Sequence, residues 1–381
     1  MSEAINVDDF RMRARQRLPR LVFDYLDGAA EDESCLRRNR QALEAWHLRP
    51  AVLRNTATVD TSIELLGHRF ALPLAIAPTG LNGLIWPDGD VALAHAAAKA
   101  NIPFSMSTAS NALLEHIPVE ASGVNWYQLY VMGVRDLAER MMHRASDAGF
   151  AALILTVDVP VSGRRERDLR NGFRLPLRYT PKLMWDAALH PRWLFGLLRG
   201  GMPTFANLSD PQAGPVSAQT HAALLTRAMD RTLDWASLDW VRRHWSRPVL
   251  LKGVLDPEDA RRAIDRGVDA IIVSNHGGRQ LDAAQATIDV LPEIIAAVKG
   301  RVPVLVDSGF RRGSDVVKAL ALGAKAVLLG RAALYGLAAA GATGVAGVMR
   351  ILSEEIVRTM TLVGARSIAE ITPDRVVRDN G

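Results

Sequence analysis

The sequence predicts an α/β barrel of the TIM type, in which eight parallel strands are each followed by a helix. Three observations carry this. Short apolar, β-branched runs recur along the chain with helical stretches between them. Nearly every run ends in a polar or charged residue, as barrel strands do where their C-terminal ends converge on one face. No Gly-x-Gly-x-x-Gly turn follows the first run, since neither Asn82-Gly83 nor Gly89 supplies one. That disfavours the alternative, a doubly wound open sheet.

In chain order, residues 8–46 read as helical. Arg11–Leu26 forms one helix ended by Gly28, and Asp32–Trp46 forms a second. Strand runs follow at Leu72–Pro78, which leads into Thr79-Gly80, and at Pro103–Thr108, Asn125–Val131 and Ala151–Asp158. After an interruption they resume at Pro248–Val254, Ala270–Val273, Pro303–Gly309 and Ala326–Arg331. Helices read at Val91–Ala100, Arg135–Ala148, Pro257–Arg266 and Gly313–Leu322. The interruption, about residues 160–240, is too long for a simple connection. Between Arg170 and Gly200 it carries Arg170, Arg174, Arg178, Lys182, Arg192 and Arg199 against one acid, Asp186, together with Trp185, Trp193, Phe195 and several leucines. This composition suits a segment lying in a membrane interface, centred on 170–212. A solvated loop or a helix packed over the barrel mouth is the other reading.

The 381 residues are 49% hydrophobic and 23% charged, which is globular and long enough for one barrel with additions, so a single domain over 1–381 is expected. Cys35 is the only cysteine, which precludes an intrachain disulfide and suits a reducing compartment. The opening residues are polar and acidic, with no apolar signal core, and no uninterrupted apolar run approaches ~20 residues. The net charge of +5 permits anionic partners, but no aromatic reading surface is interleaved with the basic residues, so no nucleic acid is expected.

The stretch Ser274-Asn275-His276-Gly277-Gly278-Arg279-Gln280-Leu281-Asp282 ends the sixth strand. A histidine able to take a proton near neutral pH stands three residues from an arginine able to grip a carboxylate with two hydrogen bonds. Asp158, at the end of the fourth strand, could orient that histidine or pair with an arginine. Arg165 and Arg279 are two candidates for one substrate carboxylate, and Tyr25 and Tyr130 could donate hydrogen bonds beside it. Lys252 ends a buried strand, so a ligand or a carboxylate should meet it. Asp307, Gly309, Arg311, Gly330 and Arg331 end the last two strands, the usual place for a phosphate in a barrel. The nine histidines lack metal-ligand spacing, so no metal is expected.

Tyr25-x-x-Gly28, Gln128-Leu129-Tyr130, Thr156-Val157-Asp158, Arg165, Leu251-Lys252-Gly253, the nine residues from Ser274 to Asp282, and Asp307-x-Gly309-x-Arg311 together resemble the FMN-dependent 2-hydroxy-acid oxidase and dehydrogenase family, from about residue 8 to about 370. The resemblance implies FMN and oxidation of an (S)-2-hydroxy acid to the 2-oxo acid. It makes His276 the base, Asp158 its partner, Arg165 and Arg279 the carboxylate clamp, and Tyr25 and Tyr130 its neighbours. Lys252 would stabilise the reduced flavin. Pro78, Thr79, Gly80, Ser107, Gln128, Thr156 and Ser274 would contact the flavin, with Asp307, Gly309, Arg311, Gly330 and Arg331 at its ribityl and phosphate end. Within the family the chain looks most like members that oxidise (S)-mandelate, then those that oxidise L-lactate. Gly80 stands where oxygen-using members often have alanine, which favours a dehydrogenase. Ala109 stands where glycolate-oxidising members have tryptophan, which leaves room for a larger side chain. The resemblance also implies electron delivery to a quinone, peripheral attachment on the cytoplasmic side of the inner membrane, and a homo-oligomer, a tetramer.

Overall fold

The computed structural model describes residues 3–131, 133, 135–173, 180–208 and 231–379. Its centre is a closed parallel barrel of β1 (Leu74–Thr79), β2 (Phe104–Ser107), β3 (Asn125–Leu129), β4 (Ala152–Thr156), β5 (Val249–Val254), β6 (Ala270–Val273), β7 (Val304–Val306) and β8 (Ala326–Leu329). Each strand pairs with the next, and β8 closes on β1 through Val327–Leu74, Leu328–Ala75 and Leu329–Ile76. All eight runs read from the sequence are strands: β6 keeps the bounds read for it, β1 starts two residues later and runs on to Thr79, and the others are shortened at one or both ends.

Side-chain alternation sorts the strands into two cores. Ala75, Ala77, Ala152, Ile154, Leu250, Ile272, Leu305 and Leu328 point inward with Trp126, whose bulk fills space left by the alanines. The opposite parity, Leu74, Ile76, Leu153 and Leu155 among others, packs against the helices. A hairpin absent from the sequence reading, Ile63–Leu65 with His68–Phe70, adds Ile63, Leu65 and Phe70 to the inner core and closes the barrel floor. The opposite end, where the strands terminate, is the face on which barrel enzymes carry their chemistry.

The N-terminal helical region differs from expectation. The helix read across Arg11–Leu26 is two, α1 (Val7–Arg17) and α2 (Arg20–Asp27). Pro19 disfavours helical geometry at Leu18, which is extended at φ −92°, ψ 140°. A further helix, α3 (Ser34–Ala45), follows. The chain after β8 forms α7 (Arg331–Val363), preceded in sequence by α4 (Glu166–Asn171), α5 (Pro181–Ala188) and α6 (Pro191–Gly200) of the insertion. By length and composition α7 could cross a membrane, but two-thirds of its most apolar window is buried inside the protein. It bends at Gly341, where φ is +61° and an added Cβ would come 2.6 Å from the ring of Trp86.

Asp27 ties these elements together. Its buried carboxylate accepts Arg11 Nε at 2.7 Å and Nη2 at 2.8 Å, Tyr335 Oη at 2.6 Å and Arg167 Nη1 at 3.3 Å. Burial works to raise its pKa, but the hydrogen bonds from Arg11 and Tyr335 overcome it and hold the carboxyl well below the usual range. A depressed folded-state pKa contributes stability that is present above the unfolded value of about 3.9 and lost as pH falls through the folded one. Asp27→Asn is therefore expected to cost about 2 kcal/mol at neutral pH. It should also flatten the decline in stability below about pH 4. Urea unfolding at pH 7 and at low pH checks both.

In the insertion, α5 opens on a cap in which Leu183 N donates to Thr180 Oγ1 at 3.2 Å. Leu183, Ala187 and Trp193 turn inward, and Trp193 Nε1 donates to Leu84 O at 2.8 Å. Met184, Trp185, Leu189, Phe195 and Leu198 are more than 60% exposed. The pair thus packs with one face and offers an apolar second face, which isolated surface hydrophobics do not do. Arg174 and Arg178, and residues 209–212 of the interface candidate, lie outside the described residues.

Candidate active site

A cavity of about 880 Å³ opens at the C-terminal end of the barrel, lined from all sides by strand ends and the loops beyond them. His276 occupies it in a left-handed conformation, φ +57°, followed by Gly277 and Gly278 at +65° and +76°. Three successive positive φ angles demand the two glycines and leave the histidine strained, a cost that persists at sites where position matters. The turn is pinned by His276 N to Ser274 Oγ at 3.0 Å and Gly277 N to Ser308 Oγ at 3.0 Å.

Asp158 Oδ1 and Oδ2 lie 3.0 and 3.1 Å from His276 Nδ1. Nε2 is then the ring nitrogen left for a ligand. Burial would raise the Asp158 pKa, but the facing His276 and Lys252 charges hold it below the ordinary value. Asp158 is thus a fixed anion behind the imidazole, suited to stabilise the cation formed when Nε2 takes a proton. Gln280, from the same nine-residue string, holds the loop after β4 through Asp158 O and Val161 O, both at 3.1 Å. Gly163 must be glycine there, because a Cβ would come 2.2 Å from Arg279 O.

Two guanidiniums flank Tyr25, Arg279 at 5.1 Å and Arg165 at 5.5 Å from the ring centre. Arg279 is held by Nη1 to Tyr25 O at 2.9 Å and Gly28 O at 2.8 Å, and Arg165 by Nε 3.2 Å from Asp168 Oδ2. Burial, then repulsion from Arg165, pushes Arg279 down to about 10. An anion between the two would relieve both effects, so this corner is built for a carboxylate. Burial raises the Tyr130 phenol far above its ordinary range, which keeps it a proton donor.

Lys252 Nζ lies 2.9 Å from Ser274 Oγ and 3.3 Å from Asp307 Oδ2. Burial lowers its pKa, but Asp307 and Asp158 more than offset this and leave it raised, so the ammonium charge persists in the barrel interior. Ser107 Oγ donates to Gln128 Oε1 at 2.9 Å. Gln128 Nε2, Thr156 Oγ1 and Arg331 Nε are buried with no hydrogen-bond partner. Buried polar atoms are normally satisfied; Arg331 lines the cavity, and Gln128 and Thr156 stand beside Ser107 and Lys252 of its wall, a placement consistent with a polar heterocycle and an anionic tail. Arg331 bridges Gly277 O at 2.9 Å and Gly28 O at 2.6 Å, while Gly309 adopts φ +94° against Asn39. Pro78, Thr79, Gly80, Arg311 and Gly330 also line the cavity. An added Cβ at Gly80 would come 2.8 Å from that of Ala109, so even alanine would displace this wall.

Most of the residues singled out in the sequence line this one cavity, while Gln128, Thr156, Asp158 and Ser274 stand directly behind its lining residues Ser107, Lys252 and His276. Phe173 and Phe205 were not among the residues singled out. Phe173 stacks on Tyr25 at 4.7 Å, Phe205 is buried, and both line the cavity from the insertion. Asn111, bonded to Thr204 O, and Asn207, bonded to Leu114 N and Ala112 O, set the Phe205 end. Lone aromatics in an unpatterned loop give no sequence signal. Gln280 did have one, since it belongs to the motif string.

Fold and site are those of a barrel that sets a histidine–aspartate pair, two neighbouring guanidiniums and polar groups suited to a flavin nucleotide around one cavity. The profile of FMN-dependent dehydrogenases matches residues 14–378, and the chain belongs to that family. It is 48% identical to (S)-mandelate dehydrogenase of Pseudomonas putida over 369 residues, 97% of this chain and 93% of that one. It is 43% identical to L-lactate dehydrogenase of Xanthomonas euvesicatoria pv. vesicatoria (strain 85-10) over 371 residues, 97% and 95% of the two. Among solved structures, that of the monotopic membrane protein (S)-mandelate dehydrogenase superposes with a TM-score of 0.96 at 47% identity, covering 99% of this chain and all of the other.

Proposed function

We propose that this single-domain protein oxidises an (S)-2-hydroxy acid with a large side chain, (S)-mandelate before L-lactate, to the 2-oxo acid. The observation that carries this is the convergence of His276–Asp158 and Arg165–Arg279 on one cavity: a base and an anion clamp facing the same substrate. Arg165 and Arg279 grip the carboxylate, and Tyr25 and Tyr130 fix its orientation. His276 Nε2 takes the substrate proton while Asp158 balances the imidazolium. Pro78, Thr79, Gly80, Ser107, Gln128, Thr156, Lys252 and Ser274 would hold the FMN ring, with Asp307, Gly309, Arg311, Gly330 and Arg331 at its phosphate end. When bound, FMN accepts the two electrons of the broken C–H bond. Ala109, Phe173 and Phe205 all line the cavity, an apolar lining that suits an aryl group. A steady-state panel of mandelate, lactate, glycolate and longer 2-hydroxy acids with a dye acceptor tests the reading. Mandelate is expected to have the highest kcat/KM, and a higher value for glycolate or lactate would reject the aryl preference.

We also infer peripheral attachment to the cytoplasmic side of the inner membrane through the apolar face of α5 and α6, with quinone as electron acceptor. Apolar burial and attraction to anionic lipid act together in such anchoring. The protein is expected to co-sediment with anionic vesicles, less so at high salt, where the charges are screened. Replacing residues 175–212 by a short soluble linker should release it and leave FMN binding and dye-coupled turnover largely intact. Sedimentation of the shortened protein would place the anchor elsewhere.

A further inference from the structure

The strained turn that carries His276 is held by more than the strand it ends. Its three successive backbone N–H groups all meet side-chain oxygens. His276 N donates to Ser274 Oγ, Gly277 N to Ser308 Oγ, and Gly278 N to Asn275 Oδ1 at 3.2 Å. Gly278 N also reaches Asn275 O at 3.0 Å. Each of the three side chains has an anchor of its own. Lys252 Nζ donates to Ser274 Oγ, and Ser308 Oγ donates to Asp307 Oδ1 at 2.7 Å. Lys252 and Asp307 are themselves strand ends of the cavity. The third anchor is not: Asn275 is met by Asn39, on α3, 236 residues away in the chain.

Asn39 and Asn275 are both buried and form a reciprocal amide pair. Asn39 Nδ2 donates to Asn275 Oδ1 at 3.0 Å, and Asn275 Nδ2 donates to Asn39 Oδ1 at 2.7 Å. Asn275 Nδ2 gives its second hydrogen to Gln285 O at 2.9 Å, and Oδ1 takes its second bond from Gly278 N. The two donors and two acceptor sites of the Asn275 amide are thus all used, half of them by Asn39. Removing Asn39 leaves a buried donor and a buried acceptor each short of a partner, which is costly. A left-handed backbone at a non-glycine residue persists only where its surroundings over-determine it. With its amide half released, Asn275 supports Gly278 less firmly, and the turn that aims His276 loses one of its three side-chain braces. Asn39 lies outside the cavity lining, and its Cβ and backbone rest on Gly309, a contact that alanine keeps.

We propose that Asn39 is a positioning residue for the base: through Asn275 it holds the His276 turn in the geometry that proton abstraction needs. This rests on the reading of His276 as the base and extends it to a residue of the N-terminal helical region. Asn39 acts at one remove, so its loss slows the chemical step and spares substrate binding, which depends on Arg165 and Arg279. The guanidinium of Arg279 has its own supports in Tyr25 O and Gly28 O. The two amides act as a unit, so their losses do not add: once the Asn275 amide is gone, Asn39 has nothing left to hold.

The test is anaerobic single-turnover reduction of the FMN-loaded protein by (S)-mandelate, with binding of phenylacetate, a carboxylate without the reactive hydroxyl, measured on the same preparations. Asn39→Ala, Asn275→Ala and the double variant are compared with His276→Gln and with Asn125→Ala. The last removes an equally buried amide at the start of β3, bonded to Ala121 O and Gly123 O. Asn39→Ala should slow flavin reduction about 10-fold or more, the scale of a small misplacement of a reacting group, and leave phenylacetate affinity almost unchanged. The double variant should be little slower than Asn275→Ala alone, and Asn125→Ala should lower Tm but keep the parental rate. Asn39→Ser, which retains a small polar group beside Asn275, is the second variant if Asn39→Ala gives no FMN-loaded protein. A parental reduction rate in either Asn39 variant overturns the proposal. So does a parallel loss of phenylacetate affinity, or an equal slowing in Asn125→Ala, either of which marks a general packing effect. Additive losses in the double variant break the coupling to Asn275, and failure of both Asn39 variants to load FMN assigns Asn39 to the fold alone. A near-parental rate in His276→Gln removes the reading of the base, whereas a slow His276→Gln beside a fast Asn39→Ala overturns only the positioning role.

Discussion

His276→Gln is expected to retain FMN and to lose reduction of the flavin by substrate by at least about 10²-fold. The expectation follows from how little else in the cavity can take a proton. Lys252 is a persistent cation held by Asp307, Tyr130 keeps its phenolic proton, and the arginines are donors only. Asp158 is ionised, but it sits behind the imidazole on the Nδ1 side. Glutamine keeps polarity and approximate length and cannot accept a proton at neutral pH. FMN should remain bound, because His276 contributes no group to the phosphate corner and its turn is fixed by the backbone bonds to Ser274 and Ser308. Anaerobic single-turnover mixing with (S)-mandelate reads the effect directly, since flavin absorbance reports reduction without any acceptor. A rate within a few-fold of the parent would assign proton abstraction to another group. Asp158→Asn provides the second reading: the histidine stays in place but loses its counter-charge, so the rate should fall with little change in substrate binding.

Much of this site was legible because barrel geometry turns a local pattern into a spatial one. Each strand run carries its functional residue at the C-terminal end, and closure brings Thr79, Ser107, Gln128, Thr156, Lys252 and Asp307 to one face without further information. The string around His276 added chemistry to that geometry. What escaped reading depends on contacts between distant segments. The floor hairpin has three-residue strands, too short for alternation to register, and its Ile63, Leu65 and Phe70 matter only once the barrel exists to be plugged. Asp27 reads as an ordinary helix end until α1, α4 and α7 fold around it. The break at Pro19 was present in the sequence, but the apolar spacing across it imitated a continuous helix. The insertion's composition suggested both a packed helix and an interfacial one, and α5 and α6 are two-faced in a way that contains both readings.

Removing the proposed carboxylate clamp is the second large expected effect. Arg165→Met and Arg279→Met should each weaken binding of a non-reducible aryl carboxylate such as phenylacetate by about 1.5–3 kcal/mol, roughly 10- to 150-fold in Kd. Methionine keeps most of the side-chain volume against Tyr25 and removes the charge. Arg279→Met should cost more in stability, because Tyr25 O and Gly28 O lose their shared donor in a buried place. The pH dependence separates the two. With Arg165 beside it, Arg279 sits near 10, so the clamp is fully cationic below that value and anion affinity falls as pH rises through it. Arg165 is the second cause of that depression after burial. In Arg165→Met the repulsion is gone, the Arg279 pKa rises, and the alkaline fall in affinity should move to higher pH. In Arg279→Met the fall near pH 10 should vanish. Fluorescence titration of bound FMN with phenylacetate between pH 7 and 11 measures all three proteins. Unchanged affinity in Arg165→Met would return that residue to a structural partner of Asp168, and an unshifted alkaline limb would show that the two guanidiniums do not share one anion.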